Sequence, residues 1–243
     1  MANDIQILME IIFNLIYLAF IWIIVVLMTS KIGNLSSEEK NIPQRFLFAF
    51  FLLALGDSGH VGFRILGYLN GGLENNSALV GLGALSTSIT ITFFYMIFLD
   101  IWRIQFSKNK DVLYYGLMVM GIIRFIIMVF PQNEWGNLIA PVNWAIIRNV
   151  PLAIIGLLTA FFMICDGWRE KNSFFTNLGY CTVVSYAFYI LVILLVSEIP
   201  MIGMLMIPKT MAYMAMAYLT YKYIFFFSHL NDFVIWNGNF SIE

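Results

Sequence analysis

Asp57, His60 and Arg64 fall at i, i+3 and i+7 of one apolar stretch, which places a carboxylate, an imidazole and a guanidinium on one helix face. Two kinds of chemistry suit such a trio. The carboxylate can orient the imidazole as a general base while the guanidinium steadies an oxyanion or phosphate. Alternatively, the cations can bind an anion, since guanidinium groups meet carboxylates and phosphates bidentately. Arg124, Arg148 and Lys209 interrupt three other apolar stretches. Ionisable groups in such surroundings are costly and are candidates for function by default.

These residues must be positioned by membrane helices. The chain of 243 residues is 61% hydrophobic and only 11% charged, with mean hydropathy +0.85, whereas a soluble domain carries about 25% charged residues. Apolar runs bounded by polar punctuation predict helices at 5–29, 46–69, 79–104, 112–131, 140–164, 174–196 and 201–227. The expected architecture is an all-α bundle of seven transmembrane helices forming one domain, with short connections and no separate catalytic domain. The first apolar run lacks a positive n-region and is too long for a signal-peptide core, so it reads as a retained helix. A net charge of −1 without a Lys/Arg-rich run argues against nucleic acid as a partner.

Charge asymmetry predicts the orientation. Lys31, Lys40 and Arg45 fall in the first connection, Arg103, Lys108 and Lys110 at the third, Arg169 and Lys171 at the fifth, and Lys222 near the end of the last helix. The second, fourth and sixth connections hold Glu74, Glu134 and Glu198 and no Lys or Arg. The positive-inside rule then places the N-terminus outside and the C-terminus in the cytoplasm, in a plasma or inner membrane. Cys165 and Cys181 fall toward the cytoplasmic side, where a disulfide is not expected, and read as packing residues. Of the sequons at Asn34, Asn75 and Asn239, only Asn75 would face outward.

At ~1.5 Å per residue, Arg64, Arg124, Arg148 and Lys209 all lie roughly 18–25 Å from the inner face, in one layer of the outer half. Helix 1 adds Glu10 and Asn14, helix 3 Ser86, Thr87, Ser88 and Thr90, helix 5 Asn143, Trp144 and Asn149, and helix 6 Tyr186 and Tyr189. Pro151 frees a carbonyl near position 147, which a polar cavity can satisfy. Four permanent positive charges and a titratable His60 face Asp57 and Glu10, so at least two cations need an anion, water or another acid. The expected site is therefore an outward-facing basic pocket for a small organic anion or an anionic lipid headgroup, formed by Arg64, Arg124, Arg148, Lys209, Asn149, Trp144, Glu10 and Tyr186, in a receptor or transporter. If His60 is protonated in the bound state, affinity should weaken as pH rises through its pKa.

Three alternatives compete with this reading. Asp57 and His60 could serve an intramembrane lipid hydrolase or transferase. The protein could instead be a structural subunit whose Glu74, Glu134 and Glu198 fold inward to pair with the excess cations. A retinal protein is suggested only by helix number and Lys209, because helix 3 carries no acid at mid-depth to act as counter-ion. No metal or other cofactor is expected: His60 and His229 sit at opposite depths and cannot share a metal at ligand distances of about 2 Å. The Gly56–His60 sequence GDSGH interrupts an apolar helix without a triad, so its glycines read as sites of close packing or a kink.

A short repeat completes the pattern. Asp100-Ile-Trp102-Arg103 ends helix 3 and Asp166-Gly-Trp168-Arg169 ends helix 5. Each reads as an i,i+3 ion pair beside an interfacial Trp, or as half of a cytoplasmic gate or docking surface for a protein partner.

Overall fold

The computed structural model describes residues 2–33, 35, 40–138, 140–196 and 198–226. All regular structure among them is helical: α1 (Ala2–Ile32), α2 (Asn41–Leu69), α3 (Ser77–Gln105), α4 (Val112–Val129), α5 (Val142–Arg169), α6 (Ser173–Leu195) and α7 (Met206–Thr220). Seven segments are long and apolar enough to cross a membrane. Consecutive helices pack side by side, α7 returns to α1, and α3 also reaches α5. The result is a closed ring with α3 partly inside it. Two ends can be distinguished by their connections: a basic end, carrying the first, third and fifth, and an acidic end, carrying the second, fourth and sixth.

Local chemistry accounts for the helix ends. The Asp111 carboxylate accepts from the Tyr114 amide at 2.9 Å and opens α4, as Asn172 does for Phe175 at the start of α6. Helix α4 stops at Val129, before the predicted 131, because Phe130 precedes a proline and is held extended; a 3-10 turn follows over Pro131–Asn133. Gly71 and Gly72 turn the chain after α2 with φ of +93° and +104°.

Three predicted spans differ in extent: α2 begins at Asn41 rather than 46, taking Arg45 into the helix, and two others change at their ends. Helix α5 continues through Arg169 instead of ending near 164, because Asp166 and Gly167 remain buried against neighbouring helices although the apolar run is over. A Cβ on Gly167 would lie 2.5 Å from Thr176 Oγ1. The last span, expected as one helix, is a 3-10 segment at Pro200–Leu205, then α7, then a π-helical turn at Tyr221–Phe226. His229, like the sequon residues Asn34 and Asn239, lies outside the described residues.

Helices α2 and α3 make the closest approach. A Cβ on Gly56 would fall 1.8 Å from Thr90 Oγ1, and one on Gly59 2.7 Å from Ser86 Oγ. The glycines of GDSGH thus let the helix backbones come together, as small residues do in membrane bundles. Toward the basic end, Phe46, Phe50, Phe94, Phe98 and Phe175 are fully buried and in mutual ring contact. The Phe94 and Phe98 rings stack at 4.2 Å. This aromatic plug fills the bundle between its polar middle and the basic end.

Candidate functional site

The polar layer begins with Arg124, which α4 directs into the bundle and which is only 1% exposed. Its Nε donates to the Arg148 carbonyl at 2.9 Å, one Nη to the Ser88 carbonyl at 2.5 Å and to Thr92 Oγ1, and the other Nη to Asn149 Oδ1 at 3.2 Å. All four acceptors are neutral, and they belong to α3 and α5. Arg124 is therefore a bolt joining three helices by hydrogen bonds, with its charge uncompensated by any of them. The carbonyl it engages in α5 is that of Arg148, next to position 147, where Pro151 removes the usual helical donor.

Asn149 passes the network onward. Its Oδ1 also accepts from the Tyr189 hydroxyl at 3.0 Å, while its Nδ2 donates to the Ala145 carbonyl. The Tyr189 ring lies under Lys209, whose Nζ is 4.3 Å from the ring centroid and 5.8 Å from that of Tyr213. Lys209 also sits within electrostatic reach of both Asp57 and Arg124. The Asp57 oxygens accept from the Tyr17 hydroxyl at 2.5 Å and from Thr87 Oγ1 at 2.7 Å. Four helices, α1, α2, α3 and α7, thus converge on one carboxylate.

His60, one turn along α2 from Asp57, lies within electrostatic reach of Arg64, Asp57 and Lys209. Its Nδ1 is buried and meets no hydrogen-bond partner. Buried polar atoms almost always find a partner. It stands out beside Asp57, Arg124 and Asn149, all of which are hydrogen-bonded. The Asp57–His60 pair is not assembled as a base and its orienting acid through Nδ1, because the carboxylate is taken up by Tyr17 and Thr87.

Arg148 belongs to a different corner. Its Nη1 donates to Asn133 Oδ1 at 3.3 Å, and its guanidinium lies 4.5 Å from the Trp135 ring centroid. Both partners come from the connection between α4 and α5, which folds back over the acidic end. Asn133 is fully buried and donates to the Ile127 and Phe130 carbonyls, and Trp135 donates to the Met128 carbonyl. The Trp135 carbonyl occupies the space a Cβ on Gly81 would need, at 1.3 Å.

The remaining expected residues are spread out. Trp144 is half-buried at the acidic rim against Phe130, with ring centroids 5.8 Å apart. Tyr186 is buried and donates to the Leu152 carbonyl at 2.8 Å, a contact made possible by Gly156, whose Cβ would strike its hydroxyl. It is therefore turned toward the α5 backbone, and Tyr189 is the α6 residue that touches the cations. Glu10 lies in α1, but its side chain is outside the described residues. Glu74, Glu134 and Glu198 are all exposed, with Glu134 accepting from Asn137 at 2.6 Å. They do not fold inward to the cations.

Sequence reasoning missed Tyr17, Thr92, Asn133, Trp135 and Tyr213. Tyr17 follows Asn14 by one turn and would have been found by extending that face of helix 1. Asn133 and Trp135 carry no periodic signal, since they sit in an irregular connection.

At the basic end the charges are differently arranged. Asp100 accepts from Arg45 Nε at 2.8 Å, Arg103 at 2.9 and 3.0 Å and the Tyr114 hydroxyl at 3.1 Å. Asp166 accepts from Lys108 and from Trp102 Nε1, both at 3.0 Å, with Arg169 at 3.8 Å. The two Asp-x-Trp-Arg segments are thus unequal. Trp102 is buried and cross-links α3 to Asp166 of α5, whereas Trp168 is 65% exposed.

Among the described residues no group of three or more His, Cys, Asp or Glu is placed to hold a metal ion. Comparison with protein-family models, curated proteins and solved structures finds no match.

Proposed function

We propose that the protein is a multi-pass membrane protein that binds a small anion, carrying a carboxylate or phosphate, at the His60–Arg64–Lys209 side of its polar layer. The observation that carries this reading is the buried, unpartnered His60 Nδ1 beside Lys209, in a layer where Arg124, Arg148 and Lys209 are held by neutral groups and Asp57 is the one described acid within electrostatic reach of Lys209. An anion seated there would accept from the imidazole and offset the excess positive charge, which is otherwise strongly unfavourable away from water. Arg124 and Arg148 act as structural neighbours of this site, holding α3, α4 and α5 and the α4–α5 connection in place.

The one-sided Lys/Arg distribution supports an orientation with the acidic end and the N-terminus outside. The site then lies in the outer half of the membrane, with the aromatic plug between it and the cytoplasm. That closure favours a receptor or sensor over a transporter, with the exposed Trp168 and Arg169 at the cytoplasmic end as the face for a protein partner. A transporter remains the second reading, requiring the Phe50–Phe94–Phe98 cluster to open.

Titration of the detergent-solubilised protein with inorganic phosphate and with small mono- and dicarboxylates, followed by thermal unfolding, tests the proposal. Binding to the native state raises the unfolding midpoint in proportion to ligand saturation. Wild type should show a saturable rise with at least one of these anions, and Lys209→Gln should abolish it while still eluting as a folded species. A flat response to every anion by wild type would overturn the reading.

A further inference from the structure

A second site lies at the opposite end of the bundle, on its outer surface. Helix α4 packs chiefly on α5 and only lightly on α3, so the α3 face beside it stays open. Between α2, α3 and α4 this leaves a lateral groove of about 460 Å³. Its walls are apolar, with Phe93, Met96 and Met118 among them, and its mouth at the basic end is polar, with Arg45, Asp100 and Tyr114. Met96 leans into α4 at Gly121, where a Cβ would lie 2.6 Å from its sulfur, so the floor of the groove is a built contact between helices.

The groove therefore has the polarity of an amphiphile, apolar along the bundle and polar at one end. Its charge selects which amphiphile. Asp100 is shared by Arg45 and Arg103, with Arg103 also lying 5.3 Å from the Tyr114 ring centroid. The cluster carries two guanidinium groups and one carboxylate, a net charge of +1. Arg45 is the more exposed of the two cations, at 36% of its side chain, and stands at the mouth. A zwitterionic headgroup brings its own cation to this cluster, whereas an anionic one supplies the missing negative charge. Guanidinium is the side chain best matched to a phosphate.

Given insertion in a membrane, the geometry points to a binding site for one anionic phospholipid, its phosphate at Arg45 and an acyl chain along Phe93, Met96 and Met118. This lipid sits in the leaflet at the basic end, remote from His60 and Lys209, so the two sites fail or stand independently.

Native mass spectrometry of the full chain, delipidated in detergent and titrated with phosphatidylglycerol or phosphatidylcholine, tests the assignment. Wild type should retain one phosphatidylglycerol in preference to phosphatidylcholine. Arg45→Gln should reduce that preference about fivefold, the worth of one basic group against an anionic lipid surface. Met118→Trp, which fills the groove without touching the charge cluster, should remove the bound lipid, and Lys209→Gln should leave it in place. If Arg45→Gln fails to fold because Asp100 loses a partner, Arg45→Lys and Met118→Trp decide, the first keeping the preference and the second losing the lipid. Equal retention of the two lipids by wild type, or a preference that survives Met118→Trp, would overturn the assignment.

Discussion

The two charged regions of this bundle solve opposite problems. At the basic end two aspartates gather basic partners: Asp100 holds Arg45 and Arg103, and Asp166 holds Lys108 and Arg169. In the polar layer the cations are held instead by neutral groups, Arg124 by carbonyl, hydroxyl and amide oxygens, Arg148 by an amide and an indole, and Lys209 by two phenol rings. Charges at the basic end lie near helix termini, where water is close and pairing contributes little beyond geometry. Arg124, by contrast, is 1% exposed, a setting where a positive charge met only by neutral groups is hard to explain by stability alone. On the proposed reading, the contrast gives one region a structural role and the other a ligand.

The largest test of this contrast is Arg124→Met. If four neutral hydrogen bonds outweigh the cost of burying the charge, this variant should lose about 3 kcal/mol of stability, because hydrogen bonds to a charged group are the strong ones. Unfolding in mixed detergent measures it, and an unchanged or raised stability would show that desolvation of Arg124 dominates.

Gly81→Ala should follow at about 2 kcal/mol, since its methyl would collide with the Trp135 carbonyl and lift the connection that holds Arg148. The same variant should make the Trp135 side chain accessible to aqueous quenchers; a silent fluorescence change would mean that the connection is not braced on α3.

Asp166→Asn should cost only about 1 kcal/mol, because Lys108 can turn to water and the amide can still accept from Trp102. A loss as large as that of Arg124→Met would erase the distinction between the two regions. The smallest effect belongs to Trp168→Ala, within about 0.5 kcal/mol as an exposed surface change, against a larger loss for Trp102→Ala. Equal losses would make the two Asp-x-Trp-Arg segments equivalent after all.

Much of this contrast was legible from residue spacing. Seven apolar runs and their polar breaks located the helices to within a few residues in most cases, because length and hydropathy decide that question with no knowledge of partners. Helix α5 ran past its apolar stretch because burial of Asp166 and Gly167 depends on α3 and α6, which no local pattern reveals. Depth counting placed Arg64, Arg124, Arg148 and Lys209 in one layer, but depth says nothing of azimuth or of partner type. Arg124 therefore read as a ligand-binding group although its donors are engaged by Ser88, Thr92, Arg148 and Asn149. Tyr186 and Tyr189 were indistinguishable by depth, and only Gly156, by making room for the Tyr186 hydroxyl, separates their roles. The two Asp-x-Trp-Arg segments looked alike because the decisive bond, Trp102 to Asp166, joins one repeat to the other.

The central claim, that the polar layer binds an anion on its His60–Lys209 side, is tested most directly by native mass spectrometry of gently solubilised wild type and Lys209→Gln, read for a co-purifying small anion. A carboxylate or phosphate compound present on wild type and absent from the variant is the predicted result, and its mass would identify the ligand class. A folded wild type that carries no anion and acquires none on incubation with phosphate or carboxylates would contradict the claim, leaving the layer as a structural network that joins the helices.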